Sequence, residues 1–297
     1  MRWAWLLATI GCGRLGFDDR SFDARPPDTA VDAAMCDPAT AFGTPVQVPG
    51  VNDPTAYDST FLATDDELTA YFYSNRGATD YDIYRATRPD RSAAWTVARV
   101  DELSSPSEEK EPSLSPDGKV LAFTSDRMPN TGGDDLWYAT FDGAMFTVAG
   151  PISAFDTTGT DYHPTFQPDS DQFWFSSDIS GTFAIYHAQH LGAGQFGPAT
   201  LEADLSIAGT NSGAATPSAD GLTMYFRSDR DSTPGDYDIY VATRASLGEP
   251  FGSATRLVEV NSTSLDTPNW ISPDGCRLYL SSSREDASNI YVATKPL

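Results

Sequence analysis

Ser115-Pro116-Asp117-Gly118-Lys119-Val120-Leu121-Ala122-Phe123-Thr124-Ser125-Asp126-Arg127 is the fullest copy of a segment that the chain carries five times. Its last five residues return as Phe72-Tyr73-Ser74-Asn75-Arg76, Phe175-Ser176-Ser177-Asp178-Ile179, Phe226-Arg227-Ser228-Asp229-Arg230 and Leu280-Ser281-Ser282-Ser283-Arg284, at steps of 51, 52, 51 and 54 residues. Six residues ahead of each copy stands an aspartate: Asp66, Asp117, Asp169, Asp220 and Asp274. Aspartate can bond the backbone two residues on, and a preceding proline presets the first φ of a turn, so this column marks a tight hairpin turn.

A β-rich run such as Lys119-Val120-Leu121-Ala122-Phe123-Thr124 follows the turn, and a second run follows the Ser-Asp-Arg loop. The second run reads Asp82-Ile83-Tyr84-Arg85-Ala86, Asp135-Leu136-Trp137-Tyr138-Ala139, Ala184-Ile185-Tyr186-His187-Ala188, Asp238-Ile239-Tyr240-Val241-Ala242 and Asn289-Ile290-Tyr291-Val292-Ala293. An aliphatic residue followed by an aromatic is strong strand material, and no sustained helical period runs through the repeats. An innermost strand is expected to begin just after Pro54, Pro112, Pro164, Pro217 and Pro268. An outer strand is expected to open on Trp95, Phe146, Phe196 and Phe251.

The fifth copy has no outer strand of its own. Phe42-Gly43-Thr44-Pro45-Val46 matches Phe251-Gly252-Ser253-Ala254-Thr255 and supplies it. Pairing of that segment into the last blade removes the bare edges an open ring would leave. The reading is an all-β, five-bladed β-propeller of four-stranded antiparallel blades, closed by an N-terminal outer strand at residues 42–48.

The chain has 297 residues and a formal net charge of −23. Nucleic acid, which demands a basic face, is therefore not an expected partner. The charge reads first as solubility, and second as attraction to a cationic partner. Met1-Arg2 and the apolar run Trp3 to Gly11 ahead of Cys12 form a charged and then an apolar region too short to span a bilayer. They resemble a bacterial lipoprotein signal with Thr9-Ile10-Gly11-Cys12 as lipobox, departing at Thr9, where leucine is usual. That resemblance implies a signal peptide at 1–11 and lipidation at Cys12, the alternative being a plain signal peptide or a misplaced start; residues 12–41, poor in large apolar groups, read as a flexible linker ahead of the propeller at 42–297. The resemblance also implies export and anchoring to a membrane of the cell envelope, periplasmic or cell-surface. Export makes the compartment oxidising, and Cys36 and Cys276 fall near one rim of the closing blade. A disulfide between them is one expectation, and two free thiols the other.

Catalytic groups are needed once, whereas contacts between blades are needed in every blade. The repeated Ser column (Ser74, Ser125, Ser177, Ser228, Ser282) and Arg column (Arg76, Arg127, Arg230, Arg284) are therefore expected to satisfy loop backbone and neighbouring carboxylates. Ala86 and its equivalents through Ala293 are expected to let blades approach. The order Pro, Ser-Pro-Asp-Gly, aromatic-x-Ser-Asp-Arg, Asp-Ile-Tyr, carried most fully by Ser115 to Gly118 and Ser272 to Gly275, resembles the WD40-like PD40 repeat of the TolB β-propeller family over residues 42–297. The chain departs from TolB itself: it lacks the separate α/β domain, counts five blades where TolB has six, and has longer repeats. The TolB partnership with a peptidoglycan-associated lipoprotein is therefore not implied. Nor is a peptidase, because no Gly-x-Ser-x-Gly elbow is present.

Function is sought in positions that do not repeat. The residues before the five prolines are Asp53, Glu111, His163, Thr216 and Thr267, with Tyr162 and Asp266 adjoining. If these converge at one channel mouth, they form a binding rim able to take a polar ligand or a metal ion, with no other cofactor implied. The competing reading is a rim of freely varying solvated residues. The loop Asp229 to Asp238 lacks calcium-loop spacing and reads as a hydrated turn. A noncatalytic, monomeric scaffold for an envelope protein or glycan is the leading functional expectation. The alternative is a five-bladed glycoside hydrolase using rim carboxylates among Asp53, Glu111, Asp58 and Asp220.

Overall fold

A computed structural model of the chain describes residues 36–297 except 78, 79, 156, 234 and 286. Its strands form five antiparallel sheets, each running from an inner to an outer strand. The inner strands are Asp58–Ala63, Glu109–Leu114, Asp161–Phe166, Ser212–Pro217 and Asp266–Ile271. The second strands, which carry the Phe-x-Ser motif, are Thr69–Ser74, Val120–Ser125, Gln172–Ser177, Thr223–Ser228 and Arg277–Glu285. The third strands carry the Ile-Tyr motif, from Asp82–Thr87 in blade 1 to Ala287–Thr294 in blade 5. The chain is a five-bladed β-propeller.

The apolar core is divided among the seams between blades. Phe61 and Phe72 of blade 1 pack with Trp270 and Tyr279 of blade 5, and Leu121 and Phe123 of blade 2 pack with Tyr71 and Ile83 of blade 1. Corresponding clusters fill the other three seams. Ala86, Ala139, Ala188, Ala242 and Ala293 are all fully or almost fully buried, leaving room for the large rings beside them.

The Ser and Arg columns build an internal ladder. In blade 2, Arg127 donates through Nε to Ser125 Oγ at 3.1 Å and through Nη2 to the Leu103 carbonyl at 2.7 Å, and it pairs with buried Glu109. Arg76 with Asp58, and Arg284 with Asp266 at 2.8 Å, repeat this arrangement. Arg230 finds the Leu205 carbonyl and the Ser212 hydroxyl in its place. Each guanidinium also lies on the motif aromatics, such as Phe123 and Trp137, so charge and stem are both satisfied.

The closing segment is a short strand, Val46–Gln47, paired with Val292 and Tyr291 of blade 5. Backbone bonds from Gly43 to Thr294 and from Val48 to Ile290 extend the contact over the expected span. Cys36 and Cys276 are joined by a disulfide across a Cα separation of 5.7 Å, ahead of that strand. The expected leader, Cys12 and most of the linker lie outside the described residues. Among the described residues no helix is long and apolar enough to cross a membrane.

The structure corrects one expectation about the strands. The prolines do not open the inner strands: Pro112 and Pro164 are fourth residues, Pro268 is third, Pro217 is last, and Pro54 precedes its strand. The ladder is interrupted by a bulge, between Lys110 and Ser113 in blade 2 and between Tyr162 and Thr165 in blade 3. Proline is tolerated there because the bulge asks for no ladder N–H.

Candidate functional site

The bulge decides which residues share a level of the ring. Counting from the start of each inner strand, the third residues are Thr60, Glu111, His163, Ala214 and Pro268. The first four have φ between 52° and 56°, a left-handed backbone that costs a non-glycine residue about 1 kcal/mol or more. That conformation turns the N–H out of its own ladder and toward the preceding blade. Thr60 donates to Ser281 Oγ at 3.0 Å, Ala214 to Ser176 Oγ at 3.2 Å, and His163 to Glu111 Oε2 at 2.7 Å.

Serine performs this linking task in two of the three cases, so a carboxyl group is more than the task requires. Glu111 Oε2 also accepts from Thr124 Oγ1 at 2.8 Å, and Oε1 lies 3.1 Å from His163 Nε2. Burial raises the Glu111 carboxyl above its ordinary range, and burial, with Arg227 and Lys110 nearby, holds the His163 imidazole well below its own. Both directions favour the uncharged pair, in which one proton sits on the carboxyl and faces a neutral ring.

Arg227 completes the constellation from blade 4. It comes from the second-strand position that holds Tyr73, Thr124, Ser176 and Ser281 in the other blades. Its Nη2 donates to Tyr162 Oη at 3.0 Å, its Nη1 reaches Thr267 Oγ1 at 3.4 Å, and Nε is buried without an acceptor. The guanidinium lies 4.3 Å from the Tyr237 ring centre. Burial pushes the Tyr162 hydroxyl up to about 12, against the lowering effect of Arg227, so it remains a neutral phenol at working pH.

Two aromatic groups stand at the strand ends of the same face. Tyr57, Tyr73 and Tyr81 meet edge-on or tilted at 5.4 to 6.1 Å between ring centres. Tyr162 packs edge-on against Phe183 at 4.6 Å. Tyr81, Phe183 and Tyr237 all immediately precede third strands. Between them, Lys110 Nζ bridges Glu108 at 2.7 Å and Asp134 at 2.9 Å.

Of the expected rim, Glu111, Tyr162, His163 and Thr267 belong to this network, and three residues do not. Asp53 caps a surface turn: its Oδ1 accepts from the Thr55 N–H at 2.9 Å and from the Thr55 hydroxyl at 2.8 Å. Thr216 lies two residues beyond the bulge residue Ala214, its hydroxyl bonded to the Ala214 carbonyl at 3.3 Å. Asp266 is fully buried and committed to Arg284 and Ser262. The displacement follows from aligning on proline, which occupies a different level in each blade. Arg227 was not among the expected residues. Its signal was available: the residue before the repeated serine is the one that changes most, from Tyr73 to Thr124, Ser176, Arg227 and Ser281.

The other carboxylates considered for a glycosidase are used elsewhere. Asp58 is sealed against Arg76, and Asp220 caps its hairpin turn by accepting from Ser218 and Leu222. Among the described residues no cluster of three or more His, Cys, Asp or Glu side chains is placed to hold a metal ion. The loop expected to be a hydrated turn is internally tied: buried Asp229 accepts from the Asn211 and Gly235 backbone.

No family model matches the chain, and no curated protein matches it in sequence. Solved structures share its fold. A glycosyl hydrolase from Bacteroides ovatus superposes with a TM-score of 0.56 at 14% identity, over 89% of this chain and 95% of that one. A structure from the GH130 family of mannoside phosphorylases, which contains glycoside hydrolases that target β-1,2-mannosidic linkages in Candida mannan, gives 0.56 at 13% identity over 90% and 97%. A protein from Agrobacterium tumefaciens described as TolB gives 0.47 at 17% identity over 80% and 74%. Such identities show the fold alone. The expectation that the ring is not an enzyme is nevertheless corrected, because most of these neighbours are glycoside hydrolases built on the same five blades.

Proposed function

We propose that the chain is a glycoside-processing enzyme whose channel, on the face of the Ser-Asp-Arg loops, receives a glycan. The observation that carries this reading is Glu111: a buried carboxyl group, its pKa raised by burial, at a position that other blades fill without an acid. A carboxyl group that holds its proton to higher pH is a better proton donor, and breaking a glycosidic bond requires a proton on the departing oxygen. His163 Nε2, 3.1 Å from Glu111 Oε1, holds the carboxyl group in place. The tyrosines and Phe183 at the mouth offer flat apolar faces to the C–H faces of sugar rings.

Asp53 and Asp220 are committed to their own turns and Asp58 to Arg76, so the arrangement supports catalysis led by one acid, with the attacking group held by other means. The neighbours with glycoside hydrolase and phosphorylase names support the substrate class. We propose the same exported, lipid-tethered setting that residues 1–41 resemble, with a wall or envelope glycan within reach.

The test is turnover of neutral and acidic oligosaccharides, with arabino-, xylo-, manno- and galacturono- series, by the purified chain. Product release by the wild type and its loss, by 100-fold or more, in Glu111→Gln is the expected result. Equal turnover by both proteins would remove Glu111 from the chemistry, and no turnover across the panel would remove the reading.

A further inference from the structure

The repeats show how this protein treats a buried arginine. Arg76, Arg127, Arg277 and Arg284 are each only 13 to 16% exposed, and each pairs with a carboxylate that is at most 1% exposed. Arg230 already lacks a carboxylate partner among the described residues but spends its donors on Ser228, Ser212 and the Leu205 carbonyl; Arg227 departs further. Among the described residues no carboxylate pairs with it, and its hydrogen-bond partners are a phenol and a threonine hydroxyl, both uncharged. One guanidinium N–H is buried with no acceptor at all. Glu111 is near enough to interact with this charge, yet its oxygens are taken up by Thr124 and His163.

A chain with 42 acidic residues and 19 basic ones has no shortage of carboxylates with which to neutralise a cation. An enclosed charge without a counterion is costly, so an uncompensated one at a channel wall is a place where an anion is gained. A planar guanidinium with a spare donor suits an oxyanion with two or more oxygens. Tyr162 and Tyr237 hold the group by an edge and a face, keeping it in place before any ligand arrives. Thr60, at the same level of the ring as Glu111, also leaves its hydroxyl buried and unpartnered, a second donor in the wall.

We infer that Arg227 is the anchor for an anionic group within the channel, either the carboxylate of an acidic sugar or a phosphate. This rests on the proposed glycan site and specifies what that site selects: an acidic glycan in the first case, and in the second a sugar phosphate or free phosphate bound beside the sugar. Lys110 does not share the role, because it is already neutralised by Glu108 and Asp134.

The experiment is isothermal titration calorimetry of the full chain at pH 7 and low salt, with three probes: a galacturonic acid trimer, the same trimer as its methyl ester, and sodium phosphate. Binding of the acid trimer, weakened at least tenfold by esterification, assigns the anion to the sugar. Binding of phosphate alone, or its competition with the trimer, assigns it to phosphate. In either case Arg227→Met should bind at least tenfold more weakly, and Arg227→Lys should fall between. Wild-type protein that binds neither anion, or an Arg227→Met variant that binds as tightly as wild type, overturns the inference. Should Arg227→Met fail to fold, the ester comparison on the wild type and the Arg227→Lys titration decide: ester and acid binding alike, with phosphate silent, also overturns it. Glu111→Gln separates this inference from the enzymatic reading, since it should keep anion binding. Anion binding without turnover by the wild type upholds Arg227 and removes the enzyme, whereas turnover without anion binding does the reverse.

Discussion

Glu111 and His163 are linked twice: the histidine N–H donates to Oε2 at 2.7 Å, and its ring nitrogen Nε2 lies 3.1 Å from Oε1. The two contacts come from adjacent blades at the same level of the ring. Burial raises the carboxyl and lowers the imidazole, so on folding the acid holds its proton to higher pH and the histidine gives its proton up, where an unfolded chain between about pH 4.5 and 6.5 has an ionised acid and a charged histidine. The two shifts change the proton count in opposite senses, so together they add less pH dependence over that window than either group alone.

Single substitutions should expose two opposite slopes. In Glu111→Gln, the depressed His163 remains: its contribution is fully present above about pH 6.5 and is lost as pH falls, because the unfolded chain takes up a proton that the folded one refuses. In His163→Gln, the raised Glu111 remains: its contribution is fully present below about pH 4.5 and is lost as pH rises through the folded value. Urea midpoints taken between pH 4.5 and 7.5, relative to wild type, should therefore rise with pH for Glu111→Gln and fall for His163→Gln. Parallel slopes would show that the two groups do not titrate as a pair.

Glu67 holds the closing seam at the opposite end of the ring. It occupies the turn position that Gly118, Gly221 and Gly275 fill elsewhere, with φ of 55° where those glycines have 66° to 70°. The strained residue is kept because its carboxylate bridges blades: Arg277 Nε and Tyr279 Oη of blade 5 both reach it at 2.8 Å, and Arg88 of blade 1 at 3.5 Å. Replacement by glycine relieves the backbone and strands the cations. Glu67→Gly is expected to destabilise by about 2 to 4 kcal/mol despite the relief, since removing one partner of a buried pair outweighs a single left-handed residue. A stability equal to or above wild type in urea titration would show that the turn strain dominates.

The repeat columns were legible because a blade cannot pack without them: the turn aspartates, the Ser-Arg ladder, the small alanine and the displaced outer strand all stand where the periodic alignment puts them. Proline misled the alignment for a physical reason. It is tolerated anywhere the inner strand lacks a ladder N–H, so Pro112, Pro164, Pro217 and Pro268 fall at three different levels, and Asp53, Thr216 and Asp266 were carried onto a rim they do not share. Glu111 and His163 survived the error because their prolines happen to be equivalent. Arg227 was hidden inside a motif read as structural, although its neighbour Ser228 is the structural residue and Arg227 the variable one.

The disulfide between Cys36 and Cys276 spans 240 residues of sequence and ties the segment before the closing strand to the last blade. A bond across so long a loop chiefly restricts the unfolded chain. Cys276→Ser should lower stability by about 2 to 4 kcal/mol under oxidising conditions, and a reducing agent should lower wild type toward the variant while leaving the variant unchanged. The comparison is a urea titration of each protein with and without reductant. Equal midpoints for all four samples would show that closure rests on strand pairing alone.

Blade 3 lacks one rung of the ladder, and the absence makes a gain-of-stability test. Asp161 opens its inner strand as Asp58, Glu109 and Asp266 open theirs, and Ser177 is in register, but Ile179 stands where the other three blades carry Arg76, Arg127 and Arg284. The backbone there is already that of the other blades: the Ile179 N–H donates to Ser177 Oγ at 3.3 Å, as the Arg127 N–H does to Ser125 at 3.2 Å. Burial raises the Asp161 carboxyl, and the hydroxyls of Ser177 and Thr157 only partly offset it. A raised carboxyl costs stability as pH climbs above about 3.8, and the cost is complete once pH passes the folded value. Ile179 is half exposed, so its replacement by arginine gives up little apolar burial. Ile179→Arg should therefore stabilise the ring by about 1 to 3 kcal/mol at pH 7, in the range of a hydrogen bond to a charged group, and by less as pH falls toward 4, where the raised Asp161 carboxyl of the wild type takes up its proton sooner than an ordinary one and no longer bears the cost of burial as an anion. Thermal midpoints at the two pH values measure the difference directly. A gain that does not depend on pH would trace the effect to the surface rather than to the carboxylate beneath it.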